Sequence, residues 1–148
     1  MVSLRTIIWV LVLIALIHGV ATYYHWYWIL KISGMRWLDK PMHVLGGFWV
    51  ALVFIYLNNR FRLAGDDRFW VFLLMGLSFV ALIGVFWEFA EFAFDFLEKN
   101  LFRWVYYTSG SYVNWYYDTL IDLFDDLLGG ALALFLLYRK KQEAIVLR

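Results

Sequence analysis

The sequence predicts an all-α, polytopic membrane protein. Its single transmembrane domain, 1–148, is expected to fold as a four-transmembrane-helix bundle with an aromatic extracytoplasmic loop between the third and fourth helices. Three observations predict this. Hydrophobic types make up 64% of the 148 residues, against roughly 45–50% in an average soluble domain. Uncharged apolar stretches recur at about the 20 residues a helix needs to cross a bilayer. Charged residues, 17% of the chain, fall between those stretches, except for a set of acids inside the last two.

The first helix is placed at 6–30, because the 25 residues between Arg5 and Lys31 carry no charge. That run is too long for the roughly 7–15 apolar residues of a signal peptide, and no small-x-small cleavage site follows. Ser33-Gly34 breaks it. The second helix, 41–58, opens with Pro41 at a first helical position, where the missing N–H costs little, and Asp39 precedes it to favour the positive helix end. Asn58-Asn59 and Gly65-Asp66-Asp67 read as turns. The third helix, 69–97, is uncharged from Phe69 to Trp87 and then carries Glu88, Glu91 and Asp95. In the loop at 98–115, Trp104, Tyr106, Tyr107, Tyr112 and Trp115 surround Ser109-Gly110-Ser111, either as a short hairpin or as a segment lying at the headgroup level. The fourth helix, 116–138, carries four Asp in its first half.

Lys and Arg counts orient the bundle. Eight lie on the side of the termini and five on the other, which predicts both termini in the cytoplasm of a cell membrane. The net charge of +1 leaves no basic footprint for nucleic acid. The chain has no Cys, hence no disulfide and no thiol chemistry. It also lacks a Walker loop, a nucleophile elbow and a His-Glu-x-x-His helix.

Of the twelve acids, seven fall inside predicted spans: Glu88, Glu91, Asp95, Asp118, Asp122, Asp125 and Asp126. Glu88, Glu91 and Asp95 are spaced i, i+3, i+7 and share one helix face. Asp118, Asp122 and Asp125 share another, with Asp126 at its edge and Gly129 on the same face. Asp39 and His43 are i, i+4 at the start of the second helix, with Gly46-Gly47 one turn on. His18, Thr22 and His25 share a face of the first. At about 1.5 Å per residue, Glu88 and Asp125 sit roughly 13 Å inside the outer helix ends. All four polar faces thus reach one level, in the extracytoplasmic half.

A charged Asp at mid-span costs roughly 2.5–3.5 kcal/mol, so these stripes must face one another or a wet cavity. Carboxylates that close need protons, a divalent metal or a cationic ligand. Carboxylates with one or two imidazoles suit Mn, Fe or Zn; carboxylates alone suit Mg or Ca. His43, Glu88, Glu91, Asp118 and Asp122 are the candidate metal ligands, and Asp95 or Asp125 the candidate base. Asp39, which can orient His43, together with His25, Asp126 and Lys40, completes the polar set. His18 reads as a packing histidine. Lys40, Lys99 and Arg103 read as interface anchors, or as counter-ions and a landing site for phosphate.

The motifs Asp39-Lys40-Pro41-Met42-His43 with Gly46-Gly47, Trp87-Glu88 with Glu91, and Asp118-Thr119 with Asp122, Asp126 and Gly129-Gly130 resemble those of the VanZ-like group of small bacterial membrane proteins. The resemblance covers about 36–136. It implies a polytopic bacterial membrane protein, the named branch being linked to resistance against a lipid-anchored glycopeptide antibiotic. That branch carries Gln near the second acid, and Arg and Asn near the last helix, where this chain has Glu91 and Asp126. The sequence therefore stands nearer the uncharacterised relatives, and resistance is not carried over.

Three functions remain open on the residues alone. One is a divalent-metal site that binds or processes a membrane lipid or lipid-linked headgroup. Another is a proton- or cation-coupled transporter, which four helices would form only as a homo-oligomer. The last is a structural subunit whose acids make a packing network between helices.

Overall fold

A computed structural model describes residues 2–29, 31–32, 35–63, 69–97 and 115–146. Four long helices form a bundle: α1 (Leu4–Tyr23), α3 (Asp39–Phe61), α4 (Phe69–Leu97) and α5 (Trp115–Val146). A single-turn helix α2 (Trp26–Ile29) and a small antiparallel pair, β1 (Lys31–Ile32) with β2 (Met35–Arg36), join α1 to α3, in the register Lys31 to Arg36 and Ile32 to Met35. The helices α1 and α3, and the segment Phe69–Phe94 of α4, are long and apolar enough to cross a membrane. The aromatic segment 98–114 and the Gly65-Asp66-Asp67 turn lie outside the described residues.

Helix α4 has the bounds its sequence predicts. The others differ, each for a local reason. Ser3 caps α1 by accepting from the Thr6 N–H at 3.1 Å, so the helix begins two residues early. It also ends early, at Tyr23 rather than near 30. His25 takes a left-handed backbone, φ 57°, which stops the helix, and its N–H turns back to the Thr22 carbonyl. The α2 turn then folds against α1 through His18 Nδ1 and the Tyr27 hydroxyl, 2.7 Å apart. Uncharged apolar sequence cannot reveal such a break, because neither Gly nor Pro marks it.

Helix α3 runs from Asp39, ahead of Pro41, past the expected Asn58-Asn59 turn to Phe61. There Arg62, φ 53°, supplies the left-handed stop and donates to the Asn58 carbonyl at 2.7 Å. Helix α5 continues eight residues past 138, since Arg139-Lys140-Lys141-Gln142-Glu143-Ala144 are all good helix formers although they are polar.

The bundle is tightest between α3 and α5, and two glycines make this so. A Cβ on Gly47 would collide with the Asp126 backbone, and one on Gly129 with the Val44 carbonyl. The two backbones therefore touch where only hydrogens intervene, the small-residue mode of helix contact in membranes. Below this contact Val50, Ala51, Phe54 and Ile55 of α3 pack with Phe72 and Val80 of α4 and Ala133 and Leu134 of α5. Phe54 meets Phe72 with ring centroids 5.6 Å apart, and Tyr138 meets Phe69 at 4.7 Å. Helix α1 is peripheral. It leans on α3, burying Ile7 and Ala21, and its Ile7 carbonyl accepts from Trp49 Nε1 at 3.0 Å. Most of its other apolar residues, Val10 and Ile14 apart, and the outer face of α4 from Trp70 to Phe94 are exposed hydrocarbon surface suited to lipid.

Candidate functional site

The polar cluster forms at the end of the bundle where α3 and α5 begin and α4 ends. The close approach of α3 and α5 at Gly47 and Gly129 decides which side chains meet there. It brings the first two turns of α3 against the Asp118–Asp126 face of α5, so polar groups on both helices are buried together. Lys40, His43, Asp122 and Asp126 are all buried, Asp122 at 2% exposure.

At the centre is an alternating chain of acids and bases. Lys40 Nζ donates to Asp118 Oδ1 at 2.7 Å and to Asp122 Oδ1 at 2.5 Å, and lies 3.9 Å from Asp39 Oδ2. The His43 imidazole stands between two acids, with Nε2 3.7 Å from Asp122 Oδ1 and Nδ1 3.5 Å from Asp126 Oδ1. These last two separations are ion-pair distances, longer than good hydrogen bonds. The Asp126 carboxylate fits because Gly84 faces it: a Cβ there would stand only 2.8 Å from Oδ2, whereas one on Gly46 would make ordinary contact, 3.7 Å from Oδ1.

Helix α4 brings Glu88 and Glu91 to the other side of His43. Trp87 Nε1 donates to Glu91 Oε1 at 2.9 Å and orients that carboxylate. Glu88 Oε1 is buried without a hydrogen-bond partner among the described residues. A buried carboxylate oxygen left so is costly unless something else meets it.

Two groups of potential ligands result, each with its donor atoms within 4.8 Å of one another: Asp39, His43 and Asp122; and His43, Glu88 and Glu91. They differ in one respect. Asp122 of the first group already accepts from the Lys40 ammonium at Oδ1, whereas the second involves no acid to which Lys40 donates among the described residues.

Beside the cluster lies a cavity of about 360 Å³ between α1, α3 and α4. Its walls are apolar, with Leu11, Ile14, Val50, Val80 and Ile83 among them, and it also meets Asp39, His43, Glu91 and Asp126.

Of the residues singled out by sequence, His43, Glu88, Glu91, Asp118, Asp122, Asp39, Asp126 and Lys40 come together. His25 does not; it is exposed on the turn between α1 and α2. Asp125 is half-buried and belongs to neither ligand group nor to the cavity wall. The side chain of Asp95 lies outside the described residues. The α5 stripe expected as Asp118, Asp122 and Asp125 is instead Asp118, Asp122 and Asp126, and it continues through Gly129, Gly130, Ala133 and Leu134. Spacing by sevens and spacing by eights both fit a helix face, and the small residues further along settle the choice. His18, read as a packing histidine, lines the cavity while paired with Tyr27. Tyr27 and Trp87 carry no spacing signal; Tyr27 reaches the cavity only because the chain reverses at His25.

Residues 2–143 match the model of a family described as a predicted membrane protein, DUF2238, and the chain belongs to that family. No match is found among curated proteins or among solved structures.

Proposed function

We propose that this DUF2238 protein holds a divalent cation at His43, Glu88 and Glu91, and that it binds or processes a lipid or lipid-linked headgroup there. The observation that carries this reading is the cavity: one apolar space reaches both His43 and Glu91 of a ligand group. The unpartnered Glu88 Oε1 supports it, since a cation is the natural partner for a buried carboxylate oxygen. One imidazole with two carboxylates suits Mn, Fe or Zn. Such an ion supplies Lewis-acid polarisation of a phosphoryl or carbonyl oxygen. The chain's own residues do the rest. Trp87 fixes the Glu91 carboxylate, Lys40 donates to both Asp118 and Asp122, and the apolar wall excludes water around a bound tail.

In this reading α5 is the fourth span, because it packs against α3 and α4 as deeply as they pack against each other. The Lys and Arg bias sets both termini in the cytoplasm and the cluster in the outer half of the cell membrane. The VanZ-like resemblance rests on the three motifs and agrees with a site facing outer-leaflet lipids.

Stability under chelation tests the reading. A cation present at about 100 times its Kd stabilises the folded state by about 2.7 kcal/mol. Chelator should therefore lower the unfolding temperature of the purified protein in micelles by several degrees, and re-addition of one divalent metal should restore it. Glu88→Gln should lack the response. A wild-type protein indifferent to chelator, with Glu88→Gln merely less stable, would favour the packing-network alternative.

A further inference from the structure

We infer that one hydrocarbon chain of a membrane lipid enters the cavity sideways from the bilayer, between α1 and α4, and ends beside His43 and Glu91. The inference deepens the proposed function and rests on it for the lipid. It does not depend on the metal.

The cavity has an open side. Helix α1 leans on α3 and hardly touches α4. Along the gap so left, Leu11, Ala15 and His18 of α1 and Ile83 and Trp87 of α4 line the cavity and are exposed. The wall behind them is closed: Val50 and Val80 line the same space at 8% and 1% exposure. Both helices that frame the gap are long and apolar enough to cross a membrane. Beside the frame, Leu16 and Phe86 are exposed as well. In a bilayer such a mouth gives onto hydrocarbon rather than water.

The shape suits one chain lying along the bundle. Asp39 and Val50, both in the cavity wall, are about 16 Å apart along α3. At the end away from the acids, Trp49 ties α3 to α1, its Nε1 donating to the Ile7 carbonyl at 3.0 Å. At the other end Tyr27, paired with His18 Nδ1 at 2.7 Å, stands with His43 and Glu91, so polar groups meet the head that carries the chain. A volume of 360 Å³ is near the lower end for small-molecule sites. It takes one chain, and the open side lets the second chain of the same lipid stay in the bilayer. A helix of a second copy, about 10–12 Å across, is too thick for it. A chain that leaves the bilayer gains no hydrophobic energy, because it passes from one apolar medium to another. Its gain is the dispersion contact with a fixed wall and the polar contacts of its head.

Photolabelling of the unaltered full chain tests this, in nanodiscs of phosphatidylcholine that include a phosphatidylcholine with a diazirine in one acyl chain. Mass spectrometry of the peptides reads the labelled positions. Label is expected at Val50 and Val80 as well as at exposed Leu82, and not at Ala133 or Leu134, which are buried away from the cavity. Ala15→Trp fills the mouth from a helix that carries no acid. It should cut the label at Val50 and Val80 by about tenfold and leave Leu82 unchanged. Gly46→Val narrows the cavity from the α3 side, where among the described residues an added Cβ meets one atom within 4 Å, Asp126 Oδ1. It should act likewise. Label confined to exposed positions overturns the inference, as does undiminished label at Val50 and Val80 in both variants. The chain has no Cys, so a disulfide between copies of Ala15→Cys reports mouths that face each other. Such dimers, with Val50 and Val80 unlabelled, give the mouth to a second copy and overturn the inference. Label at Val50 and Val80 in protein that holds no metal supports the inference while removing the metal site. Metal-loaded protein without that label overturns the inference while leaving the metal site standing.

Discussion

Lys40→Met is expected to lower the stability of the folded bundle by about 3–5 kcal/mol, the usual loss when one partner of a buried ion pair is removed. The size follows from position. Lys40 is 9% exposed, and its ammonium is the cation that meets both Asp118 and Asp122, the latter 2% exposed. Without it the buried Asp122 loses a charge-assisted partner in a low-dielectric site, and among the described residues His43 is the other base beside it. The double variant Lys40→Met/Asp122→Asn should be more stable than Lys40→Met alone, because it removes a charge that the single change strands. Thermal or denaturant unfolding in micelles reads both. A Lys40→Met protein as stable as wild type, with no gain in the double variant, would show that the ammonium is a rim anchor instead.

The glycine contact carries the second large effect. Gly47→Ala and Gly129→Ala each drive a methyl into a backbone carbonyl across the α3–α5 interface, and a carbonyl in a helix cannot turn aside. Each should cost at least about 1–3 kcal/mol and loosen the whole polar cluster, since that contact sets its register. Gly84→Ala should cost less. Its methyl meets the Asp126 carboxylate, at 2.8 Å from Oδ2, and a side chain can rotate where a backbone cannot. Gly19→Ala is the control. No atom lies within 4 Å of the added methyl, so the change should be neutral or stabilising by up to about 1 kcal/mol. A gain at Gly47 like that at Gly19 would mean that helix propensity, not the close approach, governs these positions.

Much of this site is legible in the sequence, and the exceptions have physical causes. Glu88 with Glu91, Asp39 with His43, and Asp118 with Asp122 are readable because helical spacing puts each set on one face and an apolar span cannot leave acids facing lipid. Helix α4 is readable to the residue because charged or turn-forming residues flank an apolar run. Asp126 is harder to place. Its distance from Asp118 suits a helix face as well as Asp125 does, and only Gly129, Ala133 and Leu134 show which stripe turns inward. Lys40 is ambiguous for a different reason. A lysine at a helix start usually reaches for the headgroups, and its inward turn depends on α5 presenting two acids to it. The end of α1 is hidden because His25 adopts a left-handed backbone without a glycine to announce it. The cavity is not readable at all, since it is made by α1 standing off from α4 while leaning on α3.

These features bear on one claim, that the acids beyond the reach of Lys40 are there to hold a cation beside a lipid-sized space. Elemental analysis of the purified protein tests it most directly, made on the wild type, on Glu88→Gln and on Asp118→Asn. A stoichiometric divalent metal is expected in the wild type, with its loss in Glu88→Gln and its retention in Asp118→Asn, whose carboxylate serves Lys40. A wild-type protein without stoichiometric metal, or loss in Asp118→Asn with retention in Glu88→Gln, would contradict it.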